Sequence, residues 1–354
     1  MKESKEKYKL LIIAPAGAHL KNFLARIEHA ASAIHIITSE PISFETNFDV
    51  TFVDFGLKKP GNYFQTPRKI REVYKAFNPD IVHVHQLNSV AYFAFKGLKG
   101  VEVPVVCTAW GSDVLVLPEK NPLMKQMVQS SIRLASAITS DSVYMAERIK
   151  ELARPKEVDM TVCNFGVSEP LYNLPKEKVI YSNRLHKPLY RIEKIIRAFH
   201  KFSKTDEGKD WKLVIGAIGS ETDQLKNLVS ELSLKGKVEF VGWLEKEDNM
   251  KWYAKAKVWV SMPESDATAI SLLEAMYNGC YPVVIDLPAT HEWVKGPEQG
   301  RIVEDVDSAF FEHIEKVDFE KAARANVELI KKEATYEVSE KKFESLHRRL
   351  IGNK

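Results

Sequence analysis

The chain has 354 residues, of which 45% are apolar, and this length and composition predict about two domains with ample cores. Its formal net charge of +3 is too small to indicate a nucleic-acid partner. Cys107, Cys163 and Cys280 lie far apart, which argues against a disulfide framework or a zinc cluster and favours a reducing compartment. The first apolar run, Tyr8–Ala14, is too short for a signal peptide or a membrane span, so we expect a cytosolic protein.

Short apolar runs alternate with helical patterns along most of the chain. The predicted strands are Tyr8–Ala14, Ala33–Thr38, Val50–Phe55, Asp80–His85, Val103–Thr108, Ser136–Ser140 and Val158–Cys163, then Lys178–Ser182, Trp211–Gly216, Lys237–Val241, Lys257–Ser261 and Tyr281–Asp286. This alternation predicts an α/β fold, with parallel sheets covered by helices on both faces.

The strand pattern restarts after a stretch that contains two prolines, Ser168–Pro175, which predicts a domain boundary there. We therefore expect two doubly wound, Rossmann-like domains, at residues 1–170 and 171–334. The last helical pattern, within residues 335–354, lies beyond what the second sheet requires, and we expect it to pack back on the first domain.

Candidate ligand-binding residues of the first domain follow its predicted strands, because doubly wound domains bind ligands beyond the carboxyl ends of strands. Gly17 would let a substrate approach the backbone and His19 could bind a hydroxyl, although a plain tight turn explains this loop equally well. His85 ends the fourth strand on the same face as His83, with no thiol or carboxylate ligand nearby to suggest a metal. After the fifth strand, Trp110 could stack on a sugar ring, and Asp113 could bind a hydroxyl or cap the next segment.

The second domain begins with a strand followed by Arg184 and Lys187. The planar fork of an arginine suits phosphate, although solvated basic residues opening a helix are the alternative. Gly216 marks a further strand-to-helix turn, Gly216-Ala217-Ile218-Gly219.

The stretch Ser261–Gly279 indicates a strand end, a polar loop and a helix, with Asp266 in the loop and Glu274 inside the helix. Free N–H groups at the helix start could bind an anion, which would leave Glu274 for vicinal hydroxyls such as those of a ribose. The alternative is an amphipathic helix with a capping carboxylate. The residues at this helix start are Thr268, Ala269, Ile270 and Ser271.

The spacing of Asp266 and Glu274 resembles the acid-x7-acid signature of the retaining glycosyltransferases of family GT4. Arg184 matches the Gly-Arg…Lys segment of that family, and the loop with Gly17 and the strand end at His85 are also similar. The chain departs from the pattern at Trp110, where most members have a histidine, and at Leu189, where a lysine is usual. Lys187 or Arg191 could substitute for that lysine.

The resemblance implies a GT-B arrangement, two facing domains with a cleft between them, in which the first domain binds an acceptor and the second a nucleotide-sugar. It implies that Asp266 binds the donor sugar and Glu274 the ribose, while Arg184 and Lys187 hold the pyrophosphate. The reaction would retain the anomeric configuration, with the leaving phosphate as base. UDP is the nucleotide that family frequency favours, and the acceptor would be a hydroxyl of a glycan or a lipid-linked sugar.

Three alternatives remain open at this stage. A catalytically inactive nucleotide-sugar or glycan-binding module would explain the residues at Trp110 and Leu189. An inverting GT-B transferase or a sugar-nucleotide epimerase would share the fold.

No cofactor or metal ion is expected from this sequence. Metal-dependent glycosyltransferases carry Asp-x-Asp, and Asp305-Val306-Asp307 has that form. We interpret Asp307 instead as the N-cap of a helix beginning at Ser308.

A basic stretch between Lys58 and Lys75 predicts weak binding to an anionic membrane surface, which would suit a lipid-linked acceptor. Tyr63 and Phe64 are placed in the loop before a helix whose core face carries Ile70. An ordinary solvated helix is the alternative. The cations are Lys58, Lys59, Arg68, Lys69, Arg71 and Lys75.

Overall fold

The computed structural model describes residues 6–352. The chain forms two compact units: a first domain of residues 6–165 and 336–352, and a second domain of residues 166–335. The division lies five residues before the predicted boundary at 170. Val167 pairs with Thr335 and donates its N–H to Ala334 O, so the chain enters and leaves the second domain side by side. The two prolines, Pro170 and Pro175, therefore fall inside the second domain.

Seven parallel strands form the sheet of the first domain, in the order β3-β2-β1-β4-β5-β6-β7. The strands are β1 Tyr8–Ile13, β2 Ala31–Thr38, β3 Asp49–Phe52, β4 Ile81–His85, β5 Val105–Thr108, β6 Ala137–Ser140 and β7 Met160–Val162. The first seven helices are α1 Ala18–Ile27, α2 Asn62–Phe77, α3 Ser89–Gly97, α4 Ser112–Leu115, α5 Leu117–Lys120, α6 Pro122–Leu134 and α7 Val143–Ala153.

The second domain has a sheet of six parallel strands in the order β10-β9-β8-β11-β12-β13. The strands are β8 Glu177–Ser182, β9 Lys212–Gly216, β10 Val238–Gly242, β11 Ala256–Ser261, β12 Tyr281–Ile285 and β13 Arg301–Val303. The helices are α8 Ile192–Phe202, α9 Thr222–Glu231, α10 Lys246–Lys255, α11 Ile270–Tyr277 and α12 Phe319–Glu333, and α13 Tyr336–Gly352 then returns to the first domain.

Each sheet has a core on both faces, as the alternation of strands and helices predicts. In β1, Leu11 and Ile13 belong to one apolar cluster while Leu10 and Ile12 belong to another. Successive side chains of a strand point to opposite faces, so helices must cover both. The predicted α/β fold with two doubly wound domains is confirmed.

The C-terminal helix α13 packs against α1 of the first domain. Phe343 is fully buried and its ring meets Phe23 of α1 edge-on, with 5.2 Å between the ring centroids. Leu346, one turn further along, is 3% exposed. These apolar side chains complete one face of the first sheet, because they belong to the same core cluster as β1 and α1.

Three details of the predicted elements are wrong. Residues after Ser308 form turns rather than a helix, because Asp307 binds Lys194 instead of capping a helix, and α12 begins only after Asp318. Strand β13 was missed because it has only three residues. Tyr63 and Phe64 lie in the first turn of α2, not in the preceding loop.

No helix in residues 6–352 combines the length and apolar character needed to cross a membrane.

Candidate active site

The carboxyl end of β11 leads through a loop into α11, and this junction carries both predicted acids. Leu272, Leu273 and Met276 bury one face of α11, which fixes the helix on the sheet. Ala269 is the N-cap, and its side chain makes no capping hydrogen bond. Among residues 6–352, no side chain accepts a hydrogen bond from the first N–H groups of α11, which leaves a partial positive charge at the helix start. Gly279, at φ +72°, follows the helix end in the left-handed conformation that glycine favours.

Arg184 joins the loop after β8 to this junction. Its Nη2 donates to Asp266 Oδ2 at 2.6 Å and its Nη1 donates to Ser271 Oγ at 2.9 Å. The guanidinium also lies 4.5 Å from the ring centroid of Tyr190. Three of the predicted donor-binding residues, Arg184, Asp266 and Ser271, are thus brought together around one cation.

Burial determines the titration of Asp266. It raises the pKa of the Asp266 carboxyl above its ordinary value, and the charge of Arg184 and the N–H of Ala267 offset only part of that shift. The side chain is 25% exposed, so one edge of the ion pair reaches solvent. A ligand can therefore approach this pair without unfolding the loop.

Glu274 lies one turn into α11 beside Tyr253 of α10. Tyr253 Oη donates to Glu274 Oε2 at 3.0 Å. Burial raises the pKa of the Glu274 carboxyl, and the bond from Tyr253 opposes that shift. Among residues 6–352, none donates a hydrogen bond to Glu274 Oε1, so this oxygen can accept a bond from a ligand hydroxyl.

Asn183, Asn249 and Trp259 form a polar network behind Glu274 that sequence reasoning missed. Trp259 Nε1 donates to Asn183 Oδ1 at 3.0 Å, and Asn183 Nδ2 donates to Tyr253 Oη at 2.7 Å. Asn249 Oδ1 accepts from Asn183 Nδ2 at 3.1 Å. The only sequence signal is Asn183 at a strand end, because its partners lie 66 to 76 residues away.

The two cations proposed to replace the usual lysine differ sharply. Lys187 is exposed, and within the described chain its ammonium has no partner. Arg191 donates from Nε to Met262 O at 2.7 Å and from Nη2 to Pro263 O at 2.6 Å. Arg191 therefore braces the chain before Asp266, and Lys187 is the cation left free for a ligand.

Gly216 lies close to the side chain of Tyr181 in the same domain. A Cβ there would lie 3.0 Å from Tyr181 Oη. The tighter glycine of this turn is Gly219, where a Cβ would lie 2.3 Å from His186 O. His186 is buried, and its ring bonds Thr222 Oγ1 at 2.8 Å and Gly216 O at 3.1 Å. These contacts join the turns after β8 and β9.

Thr268 holds the loop before α11 in place. Its buried Oγ1 accepts a hydrogen bond from Trp293 Nε1 at 3.1 Å. Ala269 and Ile270, which were also predicted to lie at the donor-binding helix start, form the N-cap and the first position of α11. Together they set the direction in which the free N–H groups of the helix point.

Three predicted acceptor-side residues meet at the ends of neighbouring strands in the first domain. Trp110 Nε1 donates to His85 Nδ1 at 3.2 Å, and the rings of His19 and Trp110 are 4.4 Å apart. The pKa of His85 is lowered to about 3 and that of His19 is lowered, in both cases because the ring is shielded from water. Both rings are therefore neutral at pH 7. The buried Nε2 of His85 has no partner among residues 6–352.

Gly17 and Asp113 shape the loops around this cluster. Gly17, at φ +129°, adopts a conformation that side chains disfavour, and it opens α1. Asp113 is buried, and its carboxylate accepts from the backbone N–H groups of Leu87 at 2.7 Å and Trp110 at 3.0 Å. Asp113 therefore ties together the loops after β4 and β5; it lies inside α4 and does not cap the segment that follows it.

Within residues 6–352, no group of three or more histidine, cysteine or acidic residues is placed to hold a metal ion. Asp307 binds Lys194 Nζ at 2.6 Å, and Asp305 Oδ1 accepts the N–H of Asp307. The Asp-x-Asp sequence therefore forms an exposed turn held by a lysine.

Sequence comparison assigns both domains to glycosyltransferase families. Residues 9–142 match the family model described as "Glycosyl transferase 4-like", and residues 169–329 match "Glycosyl transferases group 1". These matches cover most of each domain, and the chain belongs to the GT-B glycosyltransferases. No curated protein sequence matches it significantly.

Solved structures of the same fold match nearly the whole chain. HepE from Anabaena in complex with UDP has a TM-score of 0.80 at 13% identity, covering 96% of this chain and 100% of that one. A glycosyltransferase from Rickettsia africae gives 0.78 at 16%, covering 99% and 100%. Sucrose-phosphate synthase from Thermosynechococcus elongatus gives 0.77 at 15%, also covering 99% and 100%. At these identities the likeness shows the GT-B fold.

Proposed function

We propose that this protein transfers a sugar from a UDP-sugar to a hydroxyl of a glycan or a lipid-linked acceptor, with retention at the anomeric carbon. The observation that carries the proposal is the placement of Arg184, Asp266 and Ser271 at the uncapped start of α11, with Glu274 one turn further on. HepE structures with UDP and with UDP-glucose, and a UDP-forming trehalose-phosphate synthase from Burkholderia xenovorans, support the choice of UDP.

The second domain would act mainly on the leaving group. Negative charge grows on the diphosphate as the glycosidic bond breaks, and the N–H groups at Ala269, Ile270 and Ser271 together with Arg184 and the free Lys187 would stabilise it. Asp266 would bind donor sugar hydroxyls and Glu274 the ribose. The departing phosphate would take the proton of the acceptor hydroxyl, so no side-chain nucleophile is needed.

The first domain would supply the acceptor contacts. The rings of His19 and Trp110 pack together at an interplanar angle of 33°, and an indole face suits the apolar face of a sugar. Since His85 accepts the Trp110 N–H through Nδ1, its neutral ring carries the proton on Nε2 and would donate from there. Gly17 would let the acceptor approach the backbone.

We expect the reaction to need no metal ion, because cations and helix N–H groups would neutralise the diphosphate. Activity should survive EDTA. Loss of turnover on chelation that manganese or magnesium restores would overturn this part and would favour the Asp305/Asp307 interpretation.

A peripheral membrane location is the remaining part of the proposal. The side chain of Phe64 on α2 is 80% exposed and that of Phe52 on β3 is 56% exposed. Lys58 and Lys75 are exposed, with no partner in the described chain. Each cation near an anionic surface contributes about 1 kcal/mol. The aromatic side chains and free cations together would therefore support weak binding to a membrane.

Sedimentation with anionic vesicles at low salt tests this location. We expect weak binding that salt reverses and that is lost when Arg68, Lys69 and Arg71 are changed to Glu. A matched control changes Lys321, Arg324 and Lys331 of α12 to Glu, with the same change in net charge, and should still bind. Wild-type protein that stays wholly in the supernatant would show that the patch is a solvated face and would favour a soluble acceptor.

A donor panel tests the enzymatic proposal. UDP-, GDP- and ADP-sugars are screened by thermal shift, and the sugar that stabilises the protein is then assayed for slow hydrolysis and transfer. We expect stabilisation by a UDP-sugar, and anomeric NMR should show retained configuration. Binding without turnover would indicate an inactive module, and an inverted product would exclude retention.

A further inference from the structure

A buried hydrogen-bond chain leads from the sheet of the second domain to the carboxylate of Glu274. Trp259 Nε1 can only donate, so the oxygen of the Asn183 amide faces it and the Nδ2 group faces Tyr253. Tyr253 Oη accepts from Asn183 and has one proton, which it donates to Glu274 Oε2. Trp259, Asn183 and Tyr253 thereby each direct one donor along the path to the carboxylate.

Tyr253 is also fixed through its backbone. The ammonium of Lys176 donates to Tyr253 O, Ala256 O and Asn278 O, each at 2.8 Å. These carbonyls lie at the ends of α10 and α11, the two helices that carry Tyr253 and Glu274. One partly buried lysine thus holds both helix ends, which sets the separation of the two side chains.

We propose that Tyr253 is a positioning residue that orients Glu274 so that Oε1 is presented to the ligand. The side chain of Tyr253 is fully buried, so it acts through Glu274 rather than by touching the ligand. The inference rests on the proposed function, in which Glu274 binds the ribose of the donor.

The consequence is selectivity for a ribose over a 2′-deoxyribose. A carboxylate that rotates freely can satisfy one hydroxyl in several orientations, whereas two vicinal hydroxyls require one orientation. With Oε2 held by Tyr253, the carboxylate plane is set before the ligand arrives, so less orientational freedom is lost on binding.

The electrostatic surroundings of Glu274 give a second consequence. Tyr253 and Lys246 on α10 and Tyr181 on β8 are the titratable groups that interact with Glu274. The hydrogen bond from Tyr253 favours the charged form, so its loss should raise the pKa of Glu274 further. Ligand binding by the carboxylate would then be lost at a higher pH as the solution is acidified.

The test compares Tyr253→Phe with Tyr281→Phe, since Tyr281 is a buried tyrosine of the same domain whose hydroxyl donates to Pro297 O, away from Glu274. The Glu274 carboxyl is titrated by 13C NMR in the unliganded protein, with Glu274→Gln to assign the signal. Calorimetry then measures the affinities for UDP and 2′-deoxy-UDP. The same change, Tyr253→Phe, is also made in the Glu274→Ala background.

We expect Tyr253→Phe to raise the Glu274 pKa, to weaken UDP binding about fivefold, the loss typical of one hydrogen bond, and to reduce the preference for UDP over 2′-deoxy-UDP. Tyr281→Phe should change none of these. In the Glu274→Ala background, Tyr253→Phe should have no further effect on UDP affinity.

An unchanged Glu274 pKa in Tyr253→Phe would overturn the inference whether or not any nucleotide binds. An equal loss of UDP affinity in both backgrounds would also overturn it, because it would show a purely structural role. A wild-type protein that binds no nucleotide, with the pKa shifted as expected, would instead contradict the proposed function and the ribose selectivity while leaving the orientation of Glu274 intact.

Discussion

Arg184 links the residues of the candidate donor site. It bonds Asp266 and Ser271 through different nitrogens and lies over the ring of Tyr190. The planar fork of an arginine fixes the directions of both bonds, whereas the donors of a lysine ammonium sit on a flexible stem and share one point of charge. The geometry therefore explains why this position carries an arginine rather than any cation.

Replacing Arg184 with Lys should weaken UDP binding about tenfold or more, because a hydrogen bond to a charged group contributes roughly 1.5–3 kcal/mol and one is lost. The matched control is Arg197→Lys, at an exposed position of α8 in the same domain. Calorimetry with UDP measures both variants. Equal affinities of Arg184→Lys and wild type would contradict the bidentate role.

Sequence reasoning located candidate residues that stand at strand ends, and missed those whose partners are distant in the chain. Arg184 and Asp266 stand just after strands, where ligands of parallel sheets bind. Tyr253 gave no signal, because a tyrosine on an amphipathic helix indicates core packing. Asp113 was ambiguous until the backbone N–H groups of Leu87 and Trp110 were seen to occupy its carboxylate.

At the scale of elements, the strands were predicted to within about three residues because buried parallel strands form apolar runs. Helix starts were predicted less well. Asp307 and Asp318 both precede polar, helix-compatible stretches, and only tertiary contacts separate them. Asp307 is drawn to Lys194, whereas Asp318 Oδ1 accepts the N–H of Lys321 at 3.0 Å and caps α12.

These two aspartates make a matched pair for measurement. Asp318→Ala should lower the free energy of unfolding by about 1 kcal/mol, the usual cost of a lost N-cap. Asp307→Ala should cost less, since exposed ion pairs contribute roughly 0–1 kcal/mol. Urea denaturation of both variants tests the contrast. A larger loss for Asp307→Ala would contradict the assigned helix start.

At the scale of the whole molecule, the C-terminal helix α13 returns to the first domain and is held there by buried hydrogen bonds. His347 of α13 bonds Tyr8 Oη at 2.9 Å and His83 Nδ1 at 2.8 Å, and His83 Nε2 bonds Thr108 Oγ1. Tyr8 and His347 are 339 residues apart, and no local pattern could predict such a contact. In a neutral histidine one nitrogen donates and the other accepts, so the bond between His347 and His83 forms only while at least one of the two rings is uncharged.

We therefore expect acid to weaken the packing of α13 on the first domain. Burial lowers the pKa of His347 to about 3, while an unfolded histidine titrates near 6.5. Below that pH the unfolded chain binds a proton at His347 that the folded protein does not bind. The free energy of unfolding therefore falls by up to ~1.4 kcal/mol per pH unit between about pH 6.5 and pH 3. Above pH 6.5 this contribution is constant.

Hydrogen exchange of the α13 amides at pH 7 and pH 5, corrected for intrinsic rates, measures this effect. His347→Gln cannot titrate and keeps one donor and one acceptor, so protection of α13 should fall less between the two pH values than in wild type. Identical pH dependence in the two proteins would contradict the role of His347.

The central claim is that the second domain binds a nucleotide-sugar through Glu274. Its most direct test is a calorimetric titration of UDP into the wild type and Glu274→Ala, with circular dichroism to show that the fold is intact. Buried charge-assisted hydrogen bonds are worth on the order of 2–5 kcal/mol, so the account predicts that affinity falls by well over tenfold. Equal UDP affinity in the two proteins would contradict it.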